Sequence, residues 1–386
     1  MALPPDFTLL QVIPELETGG AEQTTIDVAQ AVVRAGGTAL VATRGGRMTA
    51  RLEADGARLT QMPVQTKNPL VMLGNAARLV ALIRQEKVSI VHARSRAPAF
   101  SALWAAKATG TPFVATYHGV YKAQTALKRW YNAVMTRGDL VIANSDYTRD
   151  HVLAQHQVDP GRMVTIPRGV DLDRFDPSFV TPNRVDALRE AWGLPHDGRT
   201  RIVLAGRLTR IKGHLTVVEA ASRLVQAGRR DFQILFAGDD QGRTGYAAEV
   251  QGAIDAAGLA DVVKIVGHCD DMPAAYLLAD FAILPTIVPE SFGRAAVEPQ
   301  AMGRTVIAAN HGGVTETVLD GKTGWLTAVG DADAWAEAIA RAIDVGPRRR
   351  QEMGELGRRR ARQLYSVGAM CAATLAAYER VLEARA

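Results

Sequence analysis

Pro289-Glu290-Ser291-Phe292-Gly293-Arg294-Ala295-Ala296-Val297-Glu298 sets two carboxylates eight positions apart, with an aromatic–glycine turn after the first. A predominantly apolar run, Phe281 to Thr286, enters this stretch, and a helix-favouring run, Arg294 to Met302, leaves it. The pattern predicts a strand, a loop and the first turns of a helix. Pro299 blurs where that helix begins, because proline suits a first turn and kinks an interior. A loop that opens a helix gathers unpaired N–H groups and the positive end of the dipole at one spot, which suits an anion. Glu290 then stands in the loop and Glu298 early in the helix, where each can accept hydrogen bonds from paired sugar hydroxyls. Glutamates at such a spacing are commonly solvated helix residues. The turn at Phe292-Gly293, and a second glycine loop with helix start at Gly312-Gly313-Val314-Thr315-Glu316, favour a site.

Outward from this stretch the chain alternates strands and helices. Phe7 to Ile13 reads as a buried strand, closed by Pro14. Glu17-Thr18-Gly19-Gly20 then turns into a helix from Ala21 to Arg34, without the G-x-G-x-x-G dinucleotide pattern. Gly19-Gly20 reads either as a bare tight turn or as part of a site. Further strands are expected at 39–43, 58–62, 89–92, 113–116, 140–143 and 163–166. The turn-rich stretch from Asp171 to Thr200 breaks the rhythm. A second series follows, with strands at 201–205, 232–237, 262–266, 281–285, 305–308 and 324–327, then a helix from Ala332 to Ile343 and a basic helical tail. Such alternation predicts two α/β, doubly wound, Rossmann-like domains facing a cleft. Domain 1 is read as residues 1–176 and a linker as 177–200. The second domain is read as 201–365, and 366–386 as a C-terminal helix that packs back on the first. Ligands in such sheets bind beyond the carboxyl ends of the strands, where Gly19-Gly20, His118, Gly206-Arg207, Gly238 and Glu290 all fall.

Bulk properties bound the reading. At 386 residues, 47% hydrophobic and 22% charged, the chain is that of a two-domain soluble protein. Two distant cysteines, Cys269 and Cys371, argue against a disulfide scaffold and fit a reducing compartment. The opening Met-Ala-Leu-Pro-Pro-Asp lacks a basic-then-apolar leader pattern, and no run approaches the ~20 apolar residues of a spanning helix. A cytoplasmic location is expected. Residues 1–180 hold 20 Lys/Arg against 15 Asp/Glu, which is the whole of the net +5. No zinc-finger or RNP-type pattern accompanies that charge, so no nucleic acid is expected. An anionic small molecule or a membrane surface is the expected partner.

Several short motifs carry chemistry. Gly206-Arg207-Leu208-Thr209-Arg210-Ile211-Lys212-Gly213 sets a guanidinium and an ammonium five apart between a strand and a helix. Together Arg207 and Lys212 can neutralise a diphosphate, although solvated loop cations are the plain alternative. Gly267-His268-Cys269-Asp270 has no CxxC or HxxxH partner, so no metal is expected there, and its backbone can read a nucleobase edge. His118, at a strand end before Gly119, is either structural or a sugar contact.

In this order the motifs resemble those of the retaining glycosyltransferases of family 4, with the GT-B two-domain fold. The resemblance rests on Glu290 with Glu298, Gly206-Arg207-Leu208 with Lys212-Gly213, Gly19-Gly20, and Gly312-Gly313-Val314-Thr315-Glu316, and it covers nearly the whole chain. It implies that Glu290 contacts the transferred sugar, Glu298 the ribose, and Arg207 with Lys212 the diphosphate. The Phe292-Gly293-Arg294 backbone is implied at sugar and phosphates, the His268-Cys269 loop at the base, and His118 beside the donor sugar. Gly19, Gly20 and Gly206 complete the implied donor site. One departure is Pro167-Arg168-Gly169-Val170-Asp171, where such proteins commonly have Pro-Asn-Gly-Val-Asp; the extra cation points to the cleft or to an acidic acceptor.

The resulting expectation is a metal-independent hexosyltransferase without a cofactor. Its donor is a nucleotide diphosphate sugar and its acceptor a saccharide or lipid-linked glycan, as in lipopolysaccharide or other cell-envelope synthesis. A nucleotide-sugar epimerase and a non-catalytic nucleotide-sugar-binding protein are the alternatives. Residues 121–137 read as an amphipathic helix, with Leu127, Trp130, Tyr131 and Val134 on one face and Lys122, Lys128, Arg129 and Arg137 beside it. Such a helix either faces the core or docks on the anionic inner membrane.

Overall fold

The structure is a computed structural model and describes residues 3–17, 19–121, 124–240, 242 and 244–385. Thr18 of the first glycine turn and Lys122 of the basic helix lie outside these described residues. The chain forms two compact units, Met1–Gly169 with Val367–Ala386, and Val170–Ser366.

In the first unit the strands are β1 Thr8–Val12, β2 Thr38–Thr43, β3 Arg58–Gln61, β4 Ile90–Ala93, β5 Phe113–Tyr117, β6 Leu140–Ala143 and β7 Met163–Thr165. They pair in parallel in the order β3-β2-β1-β4-β5-β6-β7. The second unit holds β8 Thr200–Ala205, β9 Phe232–Ala237, β10 Val263–Gly267, β11 Phe281–Leu284, β12 Thr305–Ala309 and β13 Gly324–Thr327. Its parallel order is β10-β9-β8-β11-β12-β13. Each sheet reverses direction once, between β1 and β4 and between β8 and β11. Both are doubly wound Rossmann-like sheets, with a switch point where neighbouring loops diverge.

The central strands are largely apolar on both faces because helices cover both faces, whereas the edge strand β3 is partly exposed. Leu10 and Val12 of β1 enter one core and Leu9 the opposite one. Val203 of β8 points into one cluster, and Ile202 with Leu204 into the other. All six residues of β9 are buried.

The stretch expected as a linker, 177–200, is built into the second unit. It forms a short 3₁₀ turn, Pro177–Phe179, and a helix, Pro182–Ala191. Trp192 and Leu194 are buried in that unit's core, and Arg184 pairs with Asp271 at 2.7 Å. Its prolines and glycines hid apolar residues that have no regular period. The chain passes between the units at Gly169 and Val170 and returns at Ser366 and Val367. The last helix, Val367–Glu383, buries Met370, Cys371, Leu375, Tyr378 and Val381 in the first unit, and Phe7 stacks on Tyr378 at 6.1 Å.

Residues 121–137 are not one continuous helix. Thr125 caps a helix over Ala126–Asn132, and a 3₁₀ segment follows at Ala133–Thr136. The change of pitch splits the expected apolar face: Val134 is fully buried, whereas Leu127 is 74% and Trp130 53% exposed.

Candidate functional site

The second unit brings the central motifs together at its switch point. After β8 the chain makes a 3₁₀ turn at Arg210–Lys212 and starts the helix His214–Gln226 at Gly213. After β11 it runs through Pro285 to Gly293 and starts the helix Arg294–Ala301. Because β8 and β11 are neighbours, these loops meet. The Lys212 Nζ donates to Glu290 Oε1 at 2.6 Å, across 78 residues of sequence. Both side chains are largely shielded from solvent, so each offsets a charge the other would otherwise leave poorly solvated.

Glycine packing fixes this contact. Gly213 has φ +74°, and a Cβ there would fall 1.9 Å from the Pro285 carbonyl oxygen. Behind Glu290 lies the second glycine loop. The Gly313 N–H donates to the Glu290 carbonyl at 2.8 Å, and a Cβ on Gly312 would fall 2.4 Å from that same oxygen. The Gly312-Gly313 motif thus shapes the backbone under Glu290.

Glu298 lies on the second turn of its helix. Its carboxylate accepts from Arg294 at 2.7 Å and from the Tyr276 hydroxyl at 3.4 Å. Burial first, then Glu298, holds the Tyr276 phenol well above its ordinary range, so it remains a donor. Pro299 is inside this helix after all. The side chain of Gln300 bridges the Ala296 and Thr317 carbonyls nearby.

Arg207 is exposed beside Gly206, just past β8. Phe292 is buried against Tyr365, at 5.4 Å edge to face. His268 is exposed and bonds Asp270 at 2.9 Å, and burial raises the half-buried Cys269 thiol. Among the described residues no three His, Cys, Asp or Glu side chains gather as metal ligands.

The remaining expected residues lie in the first unit. Gly19 precedes the helix Gly20–Arg34, which no side chain caps. His118 follows β5, and its Nδ1 lies 3.3 Å from Arg168 Nη2. Burial, then Arg168 and Arg94, holds His118 well below the usual imidazole range, so it is neutral at pH 7. Arg94 and Thr116, which are not among the residues expected from the sequence, lie beside it. The signal was present: His92-Ala93-Arg94 places polar residues at the end of β4, as the other site residues follow their strands.

Two doubly wound units of this kind define the GT-B architecture. A glycosyltransferase from Rickettsia africae superposes with a TM-score of 0.91 at 34% identity, over 98% of this chain and 99% of that one. Anabaena HepE, solved with UDP and glucose, matches the fold with a TM-score of 0.79 at 24% identity, over 95% and 99% of the two chains. The model for Glycosyltransferase Family 4 matches residues 18–174, and that for Glycosyl transferases group 1 matches residues 186–360. The chain belongs to the GT-B glycosyltransferases, with a family 4 first half and a group 1 second half. A D-inositol 3-phosphate glycosyltransferase of Catenulispora acidiphila is 34% identical over 65% of this chain and 58% of its own length. The chain spans about half the length of the curated relatives it matches.

Proposed function

We propose that this protein is a retaining glycosyltransferase that moves a hexose-type sugar from a nucleotide diphosphate sugar to a hydroxyl acceptor without a metal. The observation that carries the reading is the Lys212–Glu290 contact at the β8/β11 switch point. Lys212, Arg207 and the N–H groups at the start of the helix Arg294–Ala301 are the positive groups available to a leaving diphosphate. On donor binding, Lys212 turns from Glu290 to a phosphate oxygen, and Glu290 accepts from the sugar hydroxyls. Glu298 holds the ribose hydroxyls. The acceptor hydroxyl attacks from the face the diphosphate leaves, and a leaving phosphate oxygen takes its proton. No side-chain nucleophile is then needed, so the paired carboxylates do not act as in a glycoside hydrolase.

The first unit supplies the acceptor side and meets a membrane. Leu70 and Leu73 on the helix Pro69–Gln85 are 78% and 57% exposed. Ser101 of the next helix bonds the Met72 carbonyl, and Phe100 packs on Trp104, Trp130 and Tyr131. Trp104 and Trp130 thus share Phe100 as a common support, while the exposed Leu127 lies on the helix of Trp130 and the exposed Leu70 and Leu73 on the helix that Ser101 contacts. Lys107 lies on the helix of Trp104, Lys128 and Arg129 on that of Trp130, and Arg137 5.5 Å from the Trp130 ring centroid. Exposed apolar and aromatic side chains with basic neighbours suit anionic lipid. This supports an acceptor presented at the cytoplasmic face of a membrane, as in cell-envelope or lipopolysaccharide synthesis. The names of the curated relatives favour a phosphorylated acceptor such as D-inositol 3-phosphate.

The test incubates the protein with labelled UDP-, GDP- and ADP-sugars, with and without membrane extract and EDTA. Label passing to an acceptor with its anomeric configuration kept, EDTA present, is the expected result. Free epimer would identify an epimerase, and binding without turnover a sensor. Loss of transfer in EDTA, restored by magnesium or manganese, would overturn metal independence.

A further inference from the structure

Arg94 is a buried cation whose hydrogen bonds all go to neutral groups. It is 2% exposed. Its Nε and Nη2 donate to the Gln11 side-chain oxygen at 2.8 and 2.5 Å, and its Nη1 to Thr116 Oγ1 at 3.4 Å. Gln11 is itself fixed by the Thr25 carbonyl at 2.9 Å. Thr116 is fixed by His92, whose other nitrogen meets the Tyr378 hydroxyl at 2.6 Å. Asp27 is the carboxylate that acts on Arg94, from further off and more weakly than burial. A desolvated guanidinium with only neutral partners is costly unless an anion arrives to face it.

Arg94 lies under a small, shallow recess that opens to solvent at the β1/β4 switch point. Arg168, His118, Thr24 and Asn144 line it. Arg168 reaches across the uncapped start of the helix Gly20–Arg34, close enough that a Cβ on Gly20 would fall 2.4 Å from its Nη1. With Thr116 and Thr374 as well, the recess combines two guanidiniums, a neutral imidazole and four uncharged polar side chains, beside three apolar ones. A guanidinium grips phosphate or carboxylate oxygens in pairs, and two of them at one recess favour a single small anion over a neutral hydroxyl.

We infer that this recess in the first unit takes one anionic group, a phosphate or a carboxylate, carried by the acceptor. The attribution to the acceptor rests on the transferase reading above; the anion site itself does not. It assigns Arg94 and Arg168 to acceptor choice and His118 to the contact beside them.

The test uses the full chain with labelled histidine, titrated with sodium phosphate and, separately, sodium acetate, at constant ionic strength held with chloride. The expected result is a saturable shift of the His118 ring signals and a rise in its pKa. Phosphate and acetate distinguish the two anion classes, and chloride alone leaves the signals in place. Arg168→Asn lowers the affinity at least tenfold, while UDP still raises the melting temperature as in the parent. Arg94→Gln does the same; should it fail to fold, Arg168→Asn decides alone. Absence of a saturable shift with either anion, or equal affinity in Arg168→Asn, overturns the site. Displacement of the anion by UDP assigns the recess to the donor and overturns the acceptor attribution. Anion binding without sugar transfer in any donor assay overturns that attribution and the transferase reading, and leaves the anion site standing.

Discussion

At the scale of single residues, Glu290 and Glu298 have unequal surroundings. Glu290 has Lys212 as its ionic partner at the loop. Glu298 is held by Arg294 and Tyr276 on a helix, a rigid position suited to binding. Replacing Glu298 with Ala is expected to weaken binding of the nucleotide sugar by about 1–3 kcal/mol, roughly five- to 150-fold. Glu290→Ala is expected chiefly to lower turnover. Calorimetric titration with the donor, together with steady-state rates, checks both; unchanged values in both variants would refute the assignment. A second residue sets a pH limit. His214 is fully buried, edge-on to Phe236 at 5.0 Å and to Tyr246 at 5.9 Å. Burial, and then Lys212, lowers its pKa to about 4 from 6.5. The folded state therefore binds this proton more weakly than the unfolded chain. Its stabilising contribution is whole above pH 6.5 and drains as pH falls toward 4, by about 3 kcal/mol in all. His92 and His118, both lowered chiefly by burial, act in the same direction. Urea midpoints between pH 7 and pH 4 should fall in the parent protein and fall less in His214→Leu.

At the scale of elements, the site depends on two strand-to-helix turns being pressed together. Gly213 is the contact point, with a left-handed φ and Pro285 against it. Gly213→Ala is expected to cost more than about 2 kcal/mol, from backbone strain and the displaced β11 loop together. It should also weaken donor binding, because Lys212 and Glu290 separate. Gly228 is the control: its φ is +83°, but a Cβ there meets nothing within 4 Å. Gly228→Ala carries the backbone strain alone, about 1 kcal/mol, and should leave donor affinity intact. Chemical denaturation and donor titration of the pair separate strain from contact.

At the scale of the whole molecule, the net charge of +5 lies in the first 180 residues. Part of it lies near the exposed Trp130, with Lys128 and Arg129 on the same helix and Arg137 5.5 Å from the ring centroid. Among the described residues no helix is long and apolar enough to cross a membrane. Each basic side chain near an anionic bilayer contributes about 1 kcal/mol, and salt screens the effect. Co-sedimentation with vesicles rich in phosphatidylglycerol is expected at low salt and should fall at high salt. It should weaken further in Lys128→Glu/Arg129→Glu. Indifference to such vesicles at low salt would make a soluble acceptor the better reading.

The sequence by itself determined the strands, because each is a short apolar run closed by a turn, and such signals are local. Every expected strand is present in the two sheets, with ends differing by a residue or two. It also determined which residues follow strands, and so the candidates Gly19, His118, Gly206, Lys212 and Glu290. Only the tertiary structure decided which of these meet. Lys212 touches Glu290 because β8 lies beside β11, a pairing that no local pattern encodes. His92 bonds Tyr378 across 286 residues for the same kind of reason. The unit boundary at Gly169 depends on where Trp192 and Leu194 find a core, and the exposure of Leu127 and Trp130 on a change of helical pitch at Ala133. Arg94 shows the division most sharply. Its place at a strand end is written in the sequence, but its burial among neutral partners arises only when β1, β4 and β5 lie side by side.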